Sequence, residues 1–77
     1  MIENKCWRRA KSGESNNYPR VWRNKKDGDD VVRIKRKPSI YLVERENINR
    51  IHHIAFAFTL KEANSRANSY IRRYNKC

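Results

Sequence analysis

A chain of 77 residues has room for one small domain and no second, and a domain of this size buries a thin core. Its 19 Lys and Arg against 8 Asp and Glu give a net charge of +11, while apolar residues make up 38%. No stretch comes near the roughly 18 apolar residues of a membrane span, and Trp7, Trp22, Tyr18, Tyr41, Tyr70, Tyr74, Phe56 and Phe58 supply too much bulk for full disorder.

Such an excess of one sign repels itself in a compact state, and isolated surface ion pairs cannot absorb it. A polyanionic partner is the natural reason to keep it, with a merely soluble basic protein as the plain alternative. The N-terminus lacks an apolar run of signal-peptide length, so the expected location is the cytosol or a compartment continuous with it. The two cysteines, Cys6 and Cys77, lie one near each end; free thiols are the expectation there, with a disulfide left open.

In chain order, residues 1–17 read either as a basic arm carrying Arg8, Arg9 and Lys11 or as a weak first strand in "KCWRRA". Runs rich in Val, Ile, Tyr, Trp and Phe follow: "YPRVWRN", "DVVRIKR", "SIYLVER" and "IHHIAFAF", separated by short clusters of turn residues. Connections this short make hairpins, not crossovers. The predicted fold is α+β in one domain over 1–77: an antiparallel meander of three to five strands with one C-terminal helix packed on one sheet face.

Between the second and third runs stands Asp27-Gly28, a dipeptide favoured in a two-residue type I′ turn. That turn would place Lys26 opposite Asp29, Lys25 opposite Asp30, Trp22 opposite Arg33 and Val21 opposite Ile34. Val21, Val32 and Ile34 would then face the core, and Arg20, Trp22, Arg33 and Lys35 would share the other face as a cationic patch around an exposed indole. Guanidinium and ammonium groups neutralise phosphates, and a Trp plane can stack on a base. The plainer alternative is an indole covering the sheet edge beneath its neighbours' aliphatic stems. After "KPS" either Tyr41 or Leu42 joins the open face, and Arg36 and Lys37 extend the positive region in both cases.

The last strand runs into a helix. Thr59 with Glu62 forms a capping box, and Leu60, Ala63, Ala67, Tyr70, Ile71 and Tyr74 fall on one stripe. Ile54, Phe56 and Phe58 are expected to receive that stripe. Lys61, Arg72 and Lys76 form one outer row, and Arg66 with Arg73 another.

His52 and His53 are strand neighbours and point to opposite faces, which disfavours an acid–base pair or a small ribonuclease. Cysteine and histidine spacings match no zinc knuckle, and no phosphate-cradling loop or nucleophile motif occurs, so neither enzyme chemistry, a cofactor nor a metal is expected.

The strands followed by Phe58, Thr59, Leu60, Lys61, Glu62 and Ala63, with Ala67 and Tyr70 beyond, resemble the end of the sheet-plus-helix DNA-binding domains of tyrosine recombinase N-termini and plant ethylene-response factors. The resemblance implies a sheet lying in the major groove with the helix behind it, and Arg20, Trp22, Arg33 and Lys35 on the open face touching nucleic acid. The glycine that often precedes the Phe is replaced by Ala57.

The sequence thus points to a small basic, regulatory nucleic-acid-binding protein, DNA favoured over RNA. The candidate contacts are Arg8, Arg9, Arg20, Trp22, Arg33, Lys35, Arg36, Lys37, Lys61, Arg72 and Lys76. The alternative is an effector or inhibitor of the phage or mobile-element kind that docks on an acidic protein. In either case a monomer or weak dimer is expected, with no membrane.

Overall fold

The computed structural model describes residues 6–48 and 50–74. Five antiparallel strands lie in chain order, β1 (Trp7–Arg9), β2 (Arg20–Asn24), β3 (Val31–Arg36), β4 (Tyr41–Asn47) and β5 (Arg50–Ala57). A C-terminal helix, α1 (Leu60–Arg73), packs on one face of the sheet, and a single 3-10 turn (Lys11–Gly13) joins β1 to β2. The expected α+β meander with one C-terminal helix is the observed fold, and every β-rich run forms a strand. Arg8 and Arg9 lie on β1, so the weak first strand forms where a basic arm was the other reading. Lys76 and Cys77 lie outside the described residues.

The register between β2 and β3 differs from the expected one by one residue. Trp22 stands opposite Val32, Val21 opposite Arg33, and Arg20 opposite Ile34. Asn24 is the cause. Its side-chain oxygen accepts from the N–H groups of Lys26 and Asp27 at 2.8 and 3.0 Å, and the Asp27 carboxylate accepts from Asp29 N–H at 3.1 Å. These bonds start a wider turn that closes where Asn24 N–H meets the Asp30 carbonyl at 2.9 Å, and no glycine takes a positive φ. A slip of one residue turns every side chain of a strand to the opposite face. Trp22 therefore joins Val32, Ile34 and Val43 beneath α1 and retains 7% exposure.

The β3–β4 hairpin settles the choice that the sequence left open. Lys37 N–H donates to the Ile40 carbonyl at 2.8 Å, which leaves Pro38 and Ser39 as the loop and puts Leu42 beside Lys35 on the open face. Between β4 and β5 the connection is only Ile48 and residue 49, and Ile48 takes a φ of 40°.

Thr59 caps α1, its hydroxyl accepting from Glu62 N–H at 3.1 Å. The helix buries Ala63, Ala67 and Ile71, with Leu60 and Tyr70 half-buried beside them. Of the three strand residues expected to receive it, Ile54 packs against the core and the two phenylalanines do not. Ala57 and Ala55 stand opposite Tyr41 and Val43 on the helix side, while Phe56 and Phe58 are 56% and 68% exposed. Alanine facing alanine lets helix and strand approach closely, and a phenyl ring there would hold them apart. A bulge opposite Val43 and Glu44 adds Ile54 to β5, so Ile54 and Ala55 both pack toward the core and the pleat reverses beyond them.

At the other end of the helix, Trp7 Nε1–H donates to the Tyr74 carbonyl at 3.2 Å, and the Arg45 guanidinium lies over the Trp7 ring at 5.3 Å. Cys6 is fully buried and disulfide-bonded, which corrects the expectation of a free thiol. A residue with no exposure in a chain whose other cysteine lies near the opposite end is placed to limit fraying of β1.

Candidate functional site

One sheet face is covered by α1; the other is open to solvent only in part. The segment from the 3-10 turn to Pro19 folds back over the β2 side of that second face. There Val21 is buried, with its Cγ1 3.5 Å from where a Cβ on Gly13 would stand, and the Tyr18 ring lies 4.7 Å from the Arg33 guanidinium. Glu14 anchors the fold-back, accepting from Arg9 Nε and from Val21 N–H. Burial alone would raise the Glu14 carboxyl, but the hydrogen bonds from Arg9 and Val21 and the charges of Arg9 and Arg20 prevail. They hold its pKa below the ordinary carboxylate value.

Across the open face the side chains form rows. In one row Arg33, Glu44 and His53 are cross-strand neighbours, with Arg33 Nε 3.3 Å from Glu44 Oε1 and His53 Nε2 3.3 Å from Glu44 Oε2. Arg33 also reaches Glu46 at 3.1 Å. Its charge is thus absorbed inside the sheet, and the row is a structural network. In the next row Lys35 faces Leu42, which faces Phe56. Phe58 stands beside Phe56 with ring centroids 5.9 Å apart and planes at 87°. Phe58 also lines a shallow groove with Arg36, Lys37, Pro38 and Tyr41. Arg36 lies 5.8 Å from the centroid of the Tyr41 ring.

The predicted patch of Arg20, Trp22, Arg33 and Lys35 is thereby divided. Arg20 and Trp22 belong to the helix side, and Trp22 is core. Arg33 and Lys35 remain on the open face, Arg33 committed to two glutamates. Arg8 faces Arg23 at the far corner of the sheet; Arg9 lies over the Trp22 ring and pairs with Glu14. Lys61 and Arg72 are exposed on α1, in the layer behind the sheet. What the structure does bring together on the open face is Lys35, Phe56 and Phe58, with Lys37 at the groove that Phe58 lines; Arg36 stands opposite Tyr41 on the helix side and reaches that groove from the other flank. The two phenylalanines lie outside the core that their alternation with alanine suggests, and the sequence signal for this is the pair of alanines interleaved with them, sized to meet Ala63 and Ala67.

Among the described residues no group of three or more His, Cys, Asp and Glu could hold a metal ion, and no helix is long and apolar enough to cross a membrane. His52 faces Arg45 and His53 faces Glu44, so the two imidazoles lie on opposite sides of β5. No protein-family model, no curated protein and no solved structure matches the chain. The sheet itself has five strands.

Proposed function

We propose that the protein binds nucleic acid through the β4–β5 side of its open sheet face, in keeping with a regulatory role. Lys35 and Lys37 would hold phosphates on that face, Arg36 would reach them from the helix-side flank of the groove, and Phe56 and Phe58 would supply apolar contact. The observation that carries this reading is the juxtaposition of two large, exposed aromatic rings with Lys35 in their own row and with Arg36 and Lys37 around the groove that Phe58 lines, three cations that form no ion pair among the described residues. Five acids are spent on structure: Asp30, Glu14, Glu44, Glu46 and Glu62 each hold an arginine. The surplus of basic charge is left for a polyanion, and it favours attraction that weakens as salt rises.

The test is fluorescence anisotropy of a labelled DNA oligonucleotide and its RNA counterpart across a salt series, beginning at low ionic strength. Affinity that falls linearly in log–log form supports the reading, and no binding at low salt removes it. The cytosolic placement expected from sequence would put the protein beside nucleic acid. Disulfides rarely persist in a reducing cytosol, and the bond at Cys6 weighs toward a more oxidising setting.

The same exposed rings favour a second reading, an effector docking on an acidic protein, because aromatic anchors ringed by charge also suit protein interfaces. Capture from nuclease-treated lysate separates the two: a partner that survives nuclease and is displaced by Phe56→Ala belongs to the second reading.

A further inference from the structure

Phe56 and Phe58 carry more information than a generic apolar contact. A small basic domain gains nothing in stability by exposing two phenyl rings, and large exposed apolar side chains set together mark a binding surface. The rings meet edge to face, 5.9 Å apart and nearly perpendicular, so they form a corner with a ring face open to solvent. Every base has a flat π-face that stacks on such a ring whatever its sequence. Lys35 lies two strands away in the same row, about 10 Å from Phe56 at the usual strand spacing, and the Arg36–Lys37 end of the groove adjoins Phe58.

Resting on the nucleic-acid reading above, we infer that the ligand is an unpaired strand, with bases stacked on Phe56 and Phe58 and its phosphates on Lys35, Arg36 and Lys37. A duplex keeps its base faces inside the stack, where phenyl rings on a sheet cannot reach them. Nor does this sheet suit the duplex groove. Five strands span about 19 Å from first to last, and the major groove, about 12 Å wide, admits a helix or a two-stranded ribbon.

Four labelled probes of one length test the inference: a single-stranded 12-mer of DNA, the same strand in RNA, the DNA duplex, and a 12-mer abasic backbone. The expected result is that an unpaired strand binds at least roughly tenfold more tightly than the duplex or the abasic strand. Phe56→Ala and Phe58→Ala should each remove on the order of tenfold of the single-strand affinity and leave abasic and duplex binding nearly unchanged. Phe56→Tyr, which keeps the ring, should restore binding. Preference for either sugar supports the inference and names the source of the strand. If the abasic strand or the duplex binds as well as the single strand, or if the alanine variants bind it as well as wild type, stacking is wrong while phosphate binding stands. If no probe binds at low salt, the nucleic-acid reading falls and this inference with it.

Discussion

The Arg45 guanidinium grips the Asp30 carboxylate with two parallel bonds, Nε to Oδ1 at 2.9 Å and a terminal nitrogen to Oδ2 at 2.7 Å. Its third nitrogen reaches the Tyr70 hydroxyl at 2.9 Å. One side chain on β4 thus ties the β2–β3 turn to the C-terminal half of α1. The bond to Asp30 raises the pKa of Arg45 despite the opposing effect of burial, so the charge is permanent. Asp30 keeps only 5% side-chain exposure and Arg45 23%. Removing one partner strands the other, which costs about 3 kcal/mol for a largely buried pair. Asp30→Ala and Arg45→Ala should each lose about that much in urea unfolding, while the double variant loses far less than the sum. Arg45→Lys, unable to form both bonds, should behave much as the alanine variant does.

Trp22 and Phe56 should respond in opposite ways to truncation. Trp22→Ala opens a void in the core and should cost about 3–5 kcal/mol, enough to unfold much of a domain this small. Phe56→Ala removes an exposed ring and should change stability by about 0.5 kcal/mol or less. Indole emission checks the same point without mutation. Trp7 and Trp22 are 2% and 7% exposed, so fluorescence should be blue-shifted and resistant to acrylamide until the protein unfolds.

The strands and the helix were legible because each rests on local chemistry: β-branched and aromatic runs between turn residues, and a Thr59 cap before an apolar stripe. The functional face was not, because it hangs on parity. Asp27-Gly28 suggests a tight turn, but Asn24 three residues earlier competes for the same amides and wins by bonding two of them. A shift of one residue then moved Trp22 from surface to core. The bulge at Ile54 and the Arg45–Asp30 pair depend on contacts across strands, which no local pattern announces. Lys35 is legible as an open-face cation from the alternation of β3, and Arg36 and Lys37 from charge alone. Their aromatic companions appear only once Ala55 and Ala57 are seen against the helix.

Acid should loosen the fold-back over the open face. The Glu14 pKa is lower in the folded protein than in the unfolded chain, so its contribution is complete above the unfolded value and is lost as pH falls through the folded one. Wild type should therefore lose stability on acidification from about pH 5 downward, and Glu14→Gln should show a shallower decline over the same range. Parallel thermal melts of the two proteins against pH measure the difference; identical slopes would remove Glu14 from the account.

Ile48 sits at φ 40° in the two-residue connection between β4 and β5, a conformation that a β-branched residue adopts only under strain. The residue is 73% exposed, so little packing holds it there. Ile48→Asn should stabilise the protein by about 1 kcal/mol, since asparagine tolerates the left-handed region. Thermal melting reads this as a rise of several degrees, and no rise would mean that the turn carries no strain.

If Lys35, Arg36 and Lys37 hold phosphate, the slope of log affinity against log salt records it. Each phosphate neutralised on a single strand contributes about 0.7 to that slope, so the triple variant Lys35→Ala, Arg36→Ala, Lys37→Ala should flatten it by about 2 while remaining folded. A triple variant with the wild-type slope would contradict the claim, because the cations that hold the strand would then lie elsewhere on the molecule.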